Sequence, residues 1–274
     1  MGVSVWLRRF AWATLVANIL LIVTGGAVRL IGSGLGCPTW PRCTDSSFTP
    51  HGTIGPHQLV EFGNRTLTFV LVAIAVATFV AARQEARRLG RPDLLRLSVV
   101  LALAIPAQAV LGGITVLTKL NPWIVAGHFV LSSVLVAIAT VLWLRSREPG
   151  VGEPLIRRPL AQLVGGIALA TAAVVAVGTV VTGSGPHSGD AHSKRTGLDP
   201  EQVAQLHADL VFLLVGLTVA LLVALKATDA PGRVVRAARD LLIVAYTARL
   251  VWAVRGPASE LPLDAAVLPA TAAR

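Results

Sequence analysis

Charge is scarce in this 274-residue chain: Asp, Glu, Lys and Arg make up 14% of it, against 54% hydrophobic residues. With a mean hydropathy of +0.71, that balance excludes an ordinary soluble domain, in which about a quarter of residues are charged. Cysteine is scarcer, with only Cys37 and Cys43, so the second pair that a membrane thiol-oxidising protein typically needs is missing. Aromatic residues are sparse, at 5%, and the cations behind the +10 net charge are spread over the loops without a nucleic-acid-binding motif. The paired Gly/Pro interruptions that mark a transporter's central site are absent too.

What is present is apolar length. A spanning helix needs about 20 predominantly apolar residues, and six segments supply them: Phe10 to Ile31, Leu59 to Ala82, Leu95 to Leu117, Trp123 to Leu144, Leu160 to Thr182 and Val203 to Leu225. The first follows Arg8 and Arg9 but is too long for a signal peptide and has no small-residue cleavage site, so it reads as a retained helix. Fifteen cations fall on one side of these spans (Arg8, Arg9, Arg83, Arg87, Arg88, Arg91, Arg96, Arg145, Arg147, Arg157, Arg158, Lys226, Arg233, Arg236, Arg239) and four on the other (Arg42, Lys119, Lys194, Arg195). Cationic loops stay cytoplasmic, which places the amino terminus on the cytoplasmic side of a cell membrane and the loops around 32–58, 118–122 and 183–202 outside.

The halves of the chain resemble each other. VTGGAVRLIGSG ends the first span and VGTVVTGSG the fifth, while LVEFGNRTLTFVLV and QVAQLHADLVFLLV open the next ones, pairing Asn64 with His207 and Glu61 with Ala204. A four-helix unit repeated in parallel predicts eight helices. The run Asp240 to Val254 is short for a span and carries Arg249, and GPASELPLDAAVLPATAAR beyond it is not membrane-like. The expected fold is an all-α polytopic bundle of two parallel four-helix repeats, the second incomplete, with about six full spans. Its expected parts are a first repeat at 1–150, an incomplete second at 151–240 and an atypical tail at 241–274, with a carboxyl end truncated or read out of frame.

Polar residues inside spans are costly and mark cavities or partners. Glu61 and Asn64, at i and i+3, share a helix face; they either address one ligand or leave Glu61 as a helix-terminal carboxylate favoured by the dipole. His128 and His207 lie at matching depths, as haem-iron ligands on bundle faces or as packing histidines. His51, His57, His187 and His192 belong to outer loops and read as surface histidines. Cys37 and Cys43 suit a disulfide in an oxidising compartment, as a staple or an electron relay. Arg29 binds an anion such as a haem propionate or snorkels to the surface. Gly112 and Gly113 permit close packing, with Gln108 one turn earlier bonding across the bundle or toward a ligand.

TGGAVRLIGSGLGCPTWPRC, VEFGNR and QAVLGGITVL followed by NPWIVAGHF resemble the haem A synthase family, most of all its actinobacterial branch, over residues 10–225. The resemblance implies an oxidoreductase for cytochrome oxidase assembly that converts a methyl group of haem O to the formyl group of haem A, with oxygen from water and haem b as cofactor. It implies Glu61 as the essential carboxylate, His128 as a ligand to the substrate haem in the first half, and His207 as a haem b ligand in the second. It also implies a Cys37–Cys43 disulfide linked to electron delivery. Expected partners are haem O, the lipid bilayer, haem O synthase, a membrane electron donor and a second copy of the chain. Asn64 departs from the family, which often carries histidine there. The final-helix histidine that would complete the haem b ligands is also missing from the sequence. A cytochrome b type electron-transfer protein and an inactive truncated synthase are the alternatives.

Overall fold

The computed structural model describes residues 2–50, 55–148, 155–186, 188–190 and 192–255, with side chains through residue 243. Among these residues there are seven helices and no strand: α1 Val5–Leu30, α2 Pro56–Leu89, α3 Pro92–Leu117, α4 Pro122–Arg147, α5 Arg158–Ser184, α6 Pro200–Ala227 and α7 Gly232–Arg255. The first six are long and apolar enough to cross a membrane. The chain is a polytopic helical membrane protein.

Each of the first four helices starts or stops where local chemistry dictates, which is why they outrun their apolar cores. Ser4 caps α1, its hydroxyl accepting the Leu7 N–H. Proline occupies the first turn of α2, α3 and α4, where its missing N–H has no intrahelical partner to lose. α2 runs through the polar stretch after Ala82 until Gly90, whose φ of 64° closes it in the left-handed conformation glycine adopts freely.

The greatest difference from expectation is α7. Its apolar run was counted from Asp240, but the helix begins at Gly232, directly after Pro231. Arg233, Arg236 and Arg239 are ordinary helix formers in Ala-rich surroundings, and an apolar count passes over them. α7 is not among the helices apolar enough to span. Residues 256–274 of the expected tail lie outside the described residues.

The chain divides into two compact units. One holds Met1–Glu153 with Ala173–His207 and contains α1 to α4 and the adjoining ends of α5 and α6. Here α1 packs on α2 and α4, and α3 on the same two, so the four helices close a ring in up-down order. One end of the ring holds the main apolar core: Leu7, Ala11, Ala81, Ala82, Leu94, Leu101, Leu135, Ala139 and Leu142 form one cluster. A smaller cluster of Leu71, Ala75 and Ile105 lies nearer the middle. The buried Thr14 and Thr78 hydroxyls bond each other at 2.8 Å. The opposite end carries Glu61, Asn64, His128 and the long loop after α1. The second unit, Pro154–Ala172 with Ala208–Arg274, buries Ile167, Ala170, Leu214, Leu221, Leu225 and Ala238.

Candidate functional site

Glu61 sits in the second turn of α2, only 5% exposed. Its Oε2 accepts the Cys37 N–H at 2.7 Å, and its Oε1 accepts Arg65 Nε at 3.1 Å and Nη2 at 2.5 Å. Arg65, one turn further along the same face, also donates to the carbonyls of Cys37 (2.8 Å), Thr39 (3.0 Å) and Arg42 (3.3 Å). One guanidinium therefore ties the carboxylate to the whole 37–42 loop through charge-assisted bonds, the strongest class available.

That loop is closed by a disulfide between Cys37 and Cys43, both fully buried. It is seated by close approaches. A Cβ on Gly36 would fall 2.5 Å from the His57 carbonyl oxygen, so only glycine lets the loop lie against the start of α2. Trp40 lies on Gly113 of α3, where an added methyl would overlap the indole. Ser33 Oγ bonds His57 Nδ1 at 2.6 Å, which gives His57 a structural place.

Asn64 shares the face of Glu61 but not its partners. Its Oδ1 accepts the Thr24 hydroxyl of α1 at 2.7 Å, and its amide lies against Gly25. His128, in the second turn of α4, places its ring against Gly112, with Cε1 3.3 Å from where a Cβ would stand. Gln108 Nε2 donates to Ser132 Oγ at 2.6 Å and to the His128 carbonyl at 3.2 Å, tethering α3 to α4 beneath the ring. The imidazole itself takes no part: His128 Nδ1 is buried without a hydrogen-bond partner, as is Gln108 Oε1.

His207 repeats the arrangement. Its ring lies against Gly178 of α5, Cε1 3.0 Å from a would-be Cβ, and its buried Nδ1 has no partner at hydrogen-bond geometry. The Val174 carbonyl lies near this ring. Arg29, in the last turn of α1, runs past Gly183 and Gly189 toward the loop between α5 and α6, close enough to Arg195 to feel its charge. His192 is solvent-exposed, 3.6 Å from Asp190. His51 and His187 lie outside the described residues. Among the described residues no three His, Cys, Asp or Glu side chains gather as a metal site would require.

Two features escaped sequence reasoning. Arg65 is the hub of the site, and its spacing of four from Glu61 was the available signal. The seating of Trp40 on Gly113 joins residues 73 positions apart and left no local trace.

The family of cytochrome oxidase assembly proteins matches residues 8–187. Similar curated proteins are the haem A synthases of Geobacillus thermodenitrificans, 31% identical over 139 residues, and Lysinibacillus sphaericus, 34% identical over 141. The haem A synthase of Shewanella oneidensis is 29% identical over 158 residues. These matches cover 50%, 51% and 52% of this chain and 42%, 44% and 45% of the relatives, so the chain spans less than half the length of each. With the family match extending over α1 to α5, the chain belongs to the cytochrome oxidase assembly protein family.

Proposed function

We propose that this protein oxidises a methyl group of haem O to the formyl group of haem A at the end of the bundle that carries Glu61 and His128. The observation that carries the reading is the pairing of an anchored, buried carboxylate with an imidazole left unbonded against glycine. A packing histidine would have its buried nitrogen satisfied; a ligand histidine needs a nitrogen held free and a ring held in place.

The residues fit haem as bundle cores bind it, with one imidazole from a helix and room made by small residues. His128 holds the substrate haem and His207 a haem b, the cofactor that supplies redox chemistry when bound. Two successive hydroxylations of the methyl group, each taking its oxygen from water and releasing two protons and two electrons, would give a geminal diol that loses water to leave the formyl group; the electrons would pass to the membrane redox partner. Glu61 supplies fixed negative charge where positive charge develops at the oxidised carbon, preorganised because Arg65 and the Cys37 N–H hold it before the reaction starts. Its oxygens already accept three hydrogen bonds, which favours this role over free proton abstraction. Asn64, already hydrogen-bonded to Thr24 and a poor iron ligand, would not compete with His128 for the iron. Arg29 pairs with a propionate. Burial of both sulfurs supports a staple role for Cys37–Cys43, because thiol exchange needs an accessible sulfur. The cation asymmetry of the loops supports an outward-facing site and a cytoplasmic amino terminus in the cell membrane.

The test is to express the chain in cells that supply haem O and lack haem A, then identify the haems on purified protein. Haem A or its hydroxylated precursor is expected, lost in Glu61→Ala. Haem b alone would replace this reading with electron transfer, and no haem at all would remove the histidine assignments.

A further inference from the structure

At the end of the ring that holds the main apolar core, the start of α1 and the end of α4 flank an open groove of about 270 Å³ lined by Val5, Arg8, Arg9, Trp12, Trp143 and Arg147. Three guanidinium groups thus meet with no acidic residue in the lining. Neighbouring cations at this end are matched: Arg88 to Glu85 at 2.6 Å, Arg91 to Asp93 at 2.7 Å and Arg145 to Glu148 at 3.9 Å. Among the described residues Arg8, Arg9 and Arg147 have no carboxylate; Arg9 lies over the Trp6 ring at 5.8 Å and Arg147 over Trp143 at 4.9 Å.

The groove is layered along the helix axes. Trp12 follows Arg8 by four residues and Trp143 precedes Arg147 by four, so each indole lies about 6 Å, one turn, nearer the middle of its span than the cation beside it. A phospholipid has the same order, with phosphate outermost and then the glycerol region, where indole rings reside. Below the groove Trp12, Ile19 and Val23 share one face of α1 and are 55%, 42% and 61% exposed, an apolar track for an acyl chain.

We propose that this groove is a binding site for the phosphodiester headgroup of an anionic phospholipid such as phosphatidylglycerol. The unmatched cations supply the attraction, the indoles set the depth, and the α1 stripe receives the chain. The inference rests on α1 and α4 spanning the bilayer and is independent of any haem reaction.

Native mass spectrometry of the detergent-purified full chain tests it, titrating phosphatidylglycerol against phosphatidylcholine with the same acyl chains. Selective retention of phosphatidylglycerol is expected. At about 1 kcal/mol per cation near a membrane surface, Arg147→Gln weakens it about five-fold, and Arg8→Gln/Arg9→Gln/Arg147→Gln together about a hundred-fold. Arg147→Gln alone keeps both amino-terminal cations, so its result stands if the triple variant inserts wrongly. Arg83→Gln/Arg87→Gln/Arg96→Gln removes the same charge from exposed positions at this end and leaves binding within about two-fold. Equal retention of the two lipids, or equal weakening by the two triple variants, overturns the proposal. Full displacement of the lipid by glycerol 3-phosphate also does so, by assigning the groove to soluble phosphate.

Discussion

Arg65→Ala should open the cysteine loop to reductant. In the native protein Cys37 and Cys43 are 0% and 1% exposed, so a reductant reaches the sulfurs only when residues 37–43 lift off α2. Arg65 makes five hydrogen bonds that oppose this, two to Glu61 and three to loop carbonyls. Its loss leaves Glu61, whose side chain is 7% exposed, buried with, among the described residues, only loop backbone N–H groups, those of Cys37 and Gly36, to answer it. Removing one member of a buried ion pair costs about 3–5 kcal/mol. Arg65 is 22% exposed, and solvent screening brings the estimate to the lower end, about 3 kcal/mol. Where opening is fast compared with cleavage, the reduction rate follows the opening equilibrium. A cost of that size therefore speeds reduction by roughly a hundred-fold.

The assay is the rate of disulfide reduction in detergent-purified protein, read by trapping the freed thiols with a mass-tagged maleimide. Arg65→Lys should lie between the two, because one ammonium cannot span Oε1 and three carbonyls as a planar guanidinium does. Reduction of Arg65→Ala within two-fold of the parent rate would refute the clamp and show the loop to be held by Trp40 and the backbone alone.

The glycines give two more expectations. Gly112→Ala and Gly178→Ala should each lower the haem retained per protein, Gly178→Ala more so because its Cβ stands 3.0 rather than 3.3 Å from the histidine ring; equal loading of both variants and the parent would sink the idea that these glycines set the rings. Gly113→Ala should lower stability by about 1–3 kcal/mol through overpacking against Trp40, whereas Gly63→Ala, with nothing within 4 Å, should be neutral or stabilising; thermal unfolding in detergent distinguishes them.

Much of this was legible because lipid simplifies the reading. The six spans announce themselves by apolar length, and polar residues within them stand out by cost, which is how Glu61, Asn64, His128 and His207 were found. Helix ends were not legible to the same standard, since α2 continues past Ala82 on Arg, Gln and Glu side chains that an apolar count discards. The sharing of a face by Glu61 and Asn64 was legible; their partners were not. Helix geometry fixes which residues are neighbours on one helix, but Glu61 meets a loop and Asn64 meets α1, and neither follows from period 3.6.

Three polar residues within the spans have one device in common. Asn64 lies against Gly25, His128 against Gly112 and His207 against Gly178, each on the preceding helix. A side chain facing glycine is located by the backbone it rests on, with no hydrogen bond needed to hold it. Asn64 uses its freedom to accept from Thr24, while the two histidines leave Nδ1 unbonded. Burying an unsatisfied polar nitrogen costs about 1–3 kcal/mol, and tethers such as Gln108 to Ser132 hold the surrounding helices without relieving it. A ligand bonded at Nδ1 would recover that cost, whereas one bonded at the other ring nitrogen would leave it in place, so the nitrogen that binds decides whether these positions become favourable once a haem is held.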